Sequence, residues 1–85
     1  MTNFEQTLSA ESWTEILSGG SVIAFDLVAS PSIFVYMTES DTPPDVNAKG
    51  NEVLSYPSGW DYVAEGLPSN QRIWAKGENI IRGIR

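Results

Sequence analysis

The sequence offers few side chains that could act as nucleophiles or bases. It contains no His and no Cys, so neither Ser-His-Asp nor Cys-His catalysis is possible and thiolate or imidazole metal ligands are missing. A paired-carboxylate hydrolase needs two acids held across a cleft, and short strands leave little room for one. Gly19-Gly20 is followed by neither Lys nor a helix start, so it is not a phosphate loop. We expect a protein that is not an enzyme and binds no cofactor.

Side chains with oxygen atoms gather in one Pro-containing segment. Such atoms are the ligands that Ca²⁺ prefers, and here they belong to Glu39, Asp41, Asp45, Asn47, Asn51 and Glu52. Their spacing does not match the twelve-residue calcium loop, which also needs a Gly at its turn. We therefore expect a solvated acidic loop and no metal site.

Aromatic residues are the other set that could bind a ligand. Three Trp and three Tyr could stack on carbohydrate or form a protein interface, although small β domains also use such rings as core anchors; they are Trp13, Trp60, Trp74, Tyr36, Tyr56 and Tyr62. Trp60 follows Gly59 in a turn and is the best candidate for an exposed contact. Trp74, between Ile73 and Ala75, is expected in the core.

Turn residues divide the chain into short apolar runs about 8 to 12 residues apart, a pattern typical of all-β sandwiches and barrels. We predict one domain, residues 1–85, built as a small antiparallel β-sandwich or jelly-roll-like barrel of seven or eight strands. The candidate strands are Phe4–Leu8, Trp13–Leu17, Val22–Val28, Ile33–Thr38, Glu52–Tyr56, Asp61–Ala64, Arg72–Ala75 and Asn79–Ile84.

One segment has two interpretations. Residues Ser9–Ser18 could also form a short N-terminal helix, with Ser9 as the N-cap and Trp13, Ile16 and Leu17 on one face.

Two β-hairpins are also predicted. The segment 72–85 is expected to form a closing β-hairpin with its turn at Lys76-Gly77-Glu78, and Gly19-Gly20 is expected to form another hairpin turn.

Two predicted strands differ in how apolar side chains are distributed between their two faces. In Val22–Val28 the residues Ile23, Phe25 and Leu27 share one face, which predicts a core face. In the next strand both faces are apolar, because Phe34 and Tyr36 lie opposite Ile33, Val35 and Met37. The face with Phe34 and Tyr36 needs a cover. Either a partner subunit or the folded-over loop Glu39–Asn51 could supply it.

Charge is distributed unevenly along the chain. The net charge is −6, yet the first 48 residues carry seven acidic side chains and no basic one, whereas the remainder sums to +1. In a chain of this length the imbalance could be chance unevenness of the charge that solubility needs. It could also indicate a dipolar subunit that docks head to tail, or an acidic half that mimics nucleic acid. Binding to nucleic acid itself is disfavoured, because phosphate contacts need a basic patch. No apolar run approaches the roughly 18 to 20 residues of a membrane helix, so we expect no membrane association.

The order of short motifs resembles small β-sandwich virion structural proteins of tailed bacteriophages. The resemblance runs from Trp13 to Ile84 and rests on Trp13-Thr14-Glu15-Ile16, Ile33-Phe34-Val35-Tyr36, the Pro43-Pro44 loop, Leu67-Pro68 and Ile73-Trp74-Ala75-Lys76-Gly77. It implies a head decoration or cement protein that forms a homo-oligomer, often a trimer. Its implied partners are other copies of itself and virion proteins such as the major capsid protein.

The resemblance also implies synthesis in the cytoplasm of a bacterial host followed by incorporation into the virion. A tail, fibre or adaptor component is the alternative within this group. A small carbohydrate-binding module that uses Trp60 and Tyr62 as a stacking platform is a second alternative. Exposed aromatic and cationic side chains would form the contact surface, which we predict to include Phe34, Tyr36, Trp60, Tyr62, Arg72, Arg82 and Arg85.

Overall fold

The chain folds into eight β-strands. A computed structural model, which describes all residues 1–85, gives them as β1 Asn3–Thr7, β2 Thr14–Ser18, β3 Val22–Leu27, β4 Ser32–Thr38, β5 Asn51–Leu54, β6 Tyr62–Glu65, β7 Arg72–Lys76 and β8 Ile80–Ile84. Every predicted strand is present, with its ends within two residues of the expected positions. The structure has no helix of the length and apolarity that a membrane crossing requires.

The strands form two four-stranded antiparallel sheets. Sheet A has the order β1-β8-β3-β6 and sheet B the order β2-β7-β4-β5. The predicted all-β, sandwich-like arrangement is confirmed, and the barrel alternative is wrong because both sheets are open.

Strand pairing follows one rule: the first half of the chain lies antiparallel to the second half. β1 pairs with β8, β2 with β7, β3 with β6 and β4 with β5. Only β4 and β5 are both consecutive in sequence and neighbours in a sheet; every other connection crosses between sheets. The predicted hairpins at Gly19-Gly20 and at 72–85 are therefore wrong. β7 already lies between β2 and β4, and β8 lies between β1 and β3.

The core lies between the two sheets. The predicted core face of β3 is confirmed, since Ile23, Phe25 and Leu27 are all buried. They pack with buried side chains of the other sheet in one cluster, which includes Ile16, Leu17, Ile33, Val35, Val53, Ile73 and Ala75. Full burial of a side chain of this size contributes roughly 1.5 to 3 kcal/mol, so this cluster is the main source of stability.

The segment Ser9–Ser18 is not helical. Residues Thr14–Ser18 form β2, and its pairing with β7 shifts register between Glu15 and Leu17. Because of this bulge Ile16 and Leu17, although adjacent, are both buried in the core. Together with Trp13, these two consecutive apolar residues have the i, i+3, i+4 spacing of one helical face, which explains the helical interpretation of the sequence. Ser9 does accept a hydrogen bond, 3.0 Å, from the backbone N–H of Glu11, but this closes a local turn and caps no helix.

Three of the connections between the sheets meet at Asn79, a residue that is only 4 % exposed. Its Oδ1 accepts hydrogen bonds from the N–H groups of Ala29, Ser30 and Ile80 at 2.9, 3.3 and 2.8 Å. Its Nδ2 donates to the Ser30 carbonyl at 2.9 Å, and its own carbonyl accepts from Leu8 N–H at 2.9 Å. The β1–β2, β3–β4 and β7–β8 connections are thereby joined.

Replacing Asn79 should destabilise the whole domain. Asn79→Ala leaves the N–H groups of Ala29 and Ser30 and one Ser30 carbonyl without their partner. A fully buried group left unsatisfied costs about 1 to 3 kcal/mol, and each of these part-buried groups costs toward the lower end of that range. We expect the free energy of unfolding in urea to fall by about 3 kcal/mol. Asn70→Ala, in an exposed turn, is the matched control. Equal stability of the two variants would contradict this role of Asn79.

Candidate functional site

The seven predicted contact residues lie on four separate parts of the molecule. Phe34, Tyr36 and Arg72 are on the outer face of sheet B, whereas Arg82 and Trp60 line a groove on the outer face of sheet A. Tyr62 packs against the core, and Arg85 lies where β8 ends. The structure therefore does not bring the predicted set into one patch.

Aromatic rings cover much of the outer face of sheet B. Trp74 lies opposite Tyr36 in the register of β7 and β4. The ring of Trp13 meets that of Tyr36 edge-on, with 5.7 Å between centroids, and the Lys76 ammonium lies 5.0 Å from the Trp13 centroid. Trp74 is buried as expected, although it lies outside the core between the sheets, where its Nε1 donates to Thr38 Oγ1 at 2.9 Å.

The segment 39–50 folds over these rings. The Trp13 Nε1 donates a hydrogen bond to the Asp45 carbonyl at 2.9 Å, and Lys76 Nζ donates to the Val46 carbonyl at 2.6 Å. A β-carbon on Gly50 would lie 2.9 Å from the Trp13 ring, so only glycine lets the chain pass this closely. The sequence suggested two covers for the outer face that carries Phe34 and Tyr36, a partner subunit or the loop. In the structure the loop covers this face at Trp13.

An apolar pair remains exposed at one edge of sheet B. Phe34 is 42 % exposed and Leu54 is 48 % exposed. They are diagonal neighbours on β4 and β5, because Phe34 pairs with Glu52 and Ser32 pairs with Leu54. β5 is the last strand of the sheet and has one unpaired edge. We call Phe34, Leu54 and this edge of β5 the edge patch.

The three predicted contact arginines already have partners within the subunit. Arg72 forms an ion pair with Glu15 at 3.1 Å and also contacts the Ser18 hydroxyl. Arg82 pairs with Glu5 at 2.9 Å through Nε. The remaining one, Arg85, stacks its guanidinium 4.3 Å from the Phe4 centroid and donates to the Ile16 carbonyl at 2.6 Å, which joins the two sheets.

A groove of about 400 Å³ crosses the outer face of sheet A. Its lining residues are Asn3, Asp26, Val28, Trp60, Arg82 and Gly83. Arg82 and Asp26 stand opposite each other in the groove on β8 and β3, and Glu5 on β1 lies opposite Arg82 without lining the groove. The Trp60 side chain is 43 % exposed at the rim. Small-molecule sites combine aromatic side chains with a few placed polar groups, and this groove has both, with polar residues in the majority.

Tyr62 does not share this groove. Its ring faces inward and stacks on Phe25 with 5.1 Å between centroids and 29° between planes. Burial raises the pKa of the Tyr62 hydroxyl above its ordinary value of 10.0. A platform made of Trp60 and Tyr62 together, one of the sequence hypotheses, is therefore not formed, whereas Trp60 alone is exposed as predicted.

Asp61 positions the connection that carries Trp60, a role the sequence analysis missed. Its side chain is buried and accepts hydrogen bonds at 2.8 Å from the N–H groups of Leu27 and Tyr56. Its own N–H donates to Asp26 Oδ1 at 3.0 Å. In the sequence, Asp61 stands between Trp60 and Tyr62 at the start of a predicted strand. A carboxylate buried there needs hydrogen-bond donors, because burying it unpaired is costly, and this could have indicated its role.

The acidic residues of the first half do not form a row. Glu5 and Asp26 are on the outer face of sheet A, whereas Glu15 is on that of sheet B. Imitation of a nucleic-acid backbone by one acidic face thus has no support in the fold. No three acidic side chains lie close enough together to hold a metal ion, so the oxygen-rich loop makes no such cluster.

Comparison with known proteins adds no further assignment. No family model, no curated protein and no solved structure matches the chain.

Alkaline pH should weaken the fold through Tyr62. Because its folded pKa is raised, the unfolded chain loses the proton first, so the contribution to stability is complete below about pH 10 and is lost as pH rises through the folded pKa. We expect the wild-type free energy of unfolding to fall more steeply above about pH 10 than that of Tyr62→Phe. Urea titrations across this range measure the difference, and parallel curves would contradict it.

Proposed function

We propose that this protein is a non-enzymatic structural protein of a tailed-phage virion, a capsid decoration or cement protein that acts as a small homo-oligomer, such as a trimer. Strand order is the observation that carries this proposal. The pairing of the first half of the chain with the second half over two four-stranded sheets is that of a jelly roll. Jelly rolls occur in viral capsid proteins, and also in lectins and cupins.

A surface suited to assembly supports the same function, since a fold alone does not define one. The edge patch combines exposed apolar side chains with unpaired backbone groups on β5. Such an edge can accept another strand, and apolar residues beside it gain free energy when they are covered. We infer that a second copy, or a loop of the major capsid protein, binds here.

The mechanism in this proposal is mechanical. An oligomer bound across a junction of capsid subunits would oppose their separation under internal pressure. The net charge of −6 keeps the free subunit soluble before it is incorporated. The ion pairs of Arg72 and Arg82 are within the subunit, so apolar contact and strand addition supply most of the binding free energy.

Charge placed on the edge patch should abolish assembly without unfolding the domain. We expect the wild-type protein to be oligomeric by light scattering and to bind empty phage shells in a sedimentation assay. Phe34→Glu/Leu54→Glu should be monomeric and lose shell binding, because each carboxylate would be desolvated in the interface. Val63→Glu is the matched control, since Val63 is 51 % exposed on sheet A.

A monomeric wild-type protein with no affinity for shells would overturn this proposal. Binding to purified tails in place of shells would instead support the alternative of a tail, fibre or adaptor component. Because both assays use the same three proteins, loss in the double variant and retention in Val63→Glu distinguish a specific surface from general damage.

A further inference from the structure

Beyond the structural role, we propose that the groove lined by Asn3, Asp26, Trp60 and Arg82 binds a neutral saccharide, through one hexopyranose unit that bears adjacent hydroxyl groups. The groove lies on the outer face of sheet A, whereas the edge patch lies on sheet B. Its volume of about 400 Å³ is within the range of about 300 to 1,000 Å³ found for small-molecule sites.

Trp60 provides the apolar wall of the site. It is 43 % exposed and lines the groove, and the apolar face of an indole can receive the C–H groups of a sugar ring. The connection that carries it is fixed by the two hydrogen bonds of the Asp61 carboxylate. A ring held in place before the ligand arrives loses little conformational entropy on binding.

Polar atoms on the other side of the groove retain unused hydrogen-bonding capacity. Asp26 uses Oδ1 for the Asp61 N–H, which leaves Oδ2 free to accept. Arg82 uses Nε for Glu5, which leaves the Nη atoms free to donate. Adjacent sugar hydroxyls donate and accept at once, so a carboxylate and a guanidinium on neighbouring strands match them. The Asn3 amide adds both a donor and an acceptor.

Charge selects the class of saccharide. Glu5, Arg82 and Asp26 stand in one row across three strands, and their formal charges sum to −1. An acidic sugar would meet the Asp26 carboxylate, while the charge of the Arg82 guanidinium is already offset by its ion pair with Glu5. Hydroxyl groups, in contrast, bind to both signs of charge. The groove is thus suited to neutral hexoses and N-acetylhexosamines rather than uronic or sialic acids.

Titration of the intact wild-type protein with single sugars tests the proposal. The probes are glucose, galactose, mannose and N-acetylglucosamine, with glucuronic acid as the acidic comparison. The readout in every protein is the NMR signal of the backbone amides of Arg82 and Gly83, which line the groove, and in proteins that retain Trp60 also that of its indole N–H. We expect at least one neutral sugar to bind with a dissociation constant on the order of millimolar. Trp60→Ala should weaken that binding about tenfold or more, a loss of roughly 1.4 kcal/mol.

Two further variants keep the outcome interpretable. Asp26→Asn retains an acceptor for the Asp61 N–H but removes the negative charge, so it should fold normally and bind several-fold more weakly. Val63→Ala removes part of an exposed apolar side chain on the same sheet that does not line the groove, and it should bind as the wild type does. Amide signals that match those of the wild type confirm folding of each variant.

Several results would overturn the saccharide site. These are the absence of any Trp60 shift at millimolar concentrations of the neutral sugars, equal binding by Asp26→Asn and the wild type, or preference for glucuronic acid. Failure here is distinguishable from failure of the virion proposal. Phe34→Glu/Leu54→Glu should lose assembly yet bind sugar, whereas Trp60→Ala should lose sugar binding yet assemble.

Discussion

The buried amide of Asn79 is the interaction on which the fold most depends. Three of the chain's crossings between sheets lie at the same end of the sandwich, and each leaves backbone groups that cannot pair within a strand ladder. Asn79 supplies both a donor and an acceptor to these groups and accepts from Leu8 with its own carbonyl. Gly77 N–H adds a bond of 2.9 Å to the Ser9 carbonyl. A hairpin at this place would leave the same groups unpaired in the interior.

Once the crossings are fixed, the two outer faces take different roles. On sheet B the segment 39–50 covers Trp13 and bonds to Lys76, and Phe34 and Leu54 remain exposed at the edge of the sheet. On sheet A no segment crosses the row of Glu5, Arg82 and Asp26, and the face remains open as a groove. The fold therefore separates an apolar edge suited to assembly from a polar groove suited to a ligand.

Local signals in the sequence were sufficient to locate the strands but not to pair them. Turn residues and alternating apolar residues mark where strands begin and end, yet Lys76-Gly77-Glu78 permits either a hairpin or a crossing. The choice depends on contacts about fifty residues away, those of Asn79 with Ala29 and Ser30. In the candidate site, too, the sequence indicated the exposure of single residues but not which residues lie together. Exposure of Trp60 was predictable from its turn. The inward orientation of the Tyr62 ring was not, because it depends on packing against Phe25 of β3.

The β5–β6 connection links the edge patch to the groove. It begins where β5 ends, with Ser55 N–H bonded to the Pro31 carbonyl at 3.0 Å, and it ends at Asp61 beside Trp60. Because the Asp61 carboxylate accepts from the N–H groups of both Tyr56 and Leu27, it joins the start and the end of this connection to the last residue of β3. If a strand were added to β5 as proposed, it would meet a connection that is bonded at both of its ends, and the position of Trp60 would depend on those bonds.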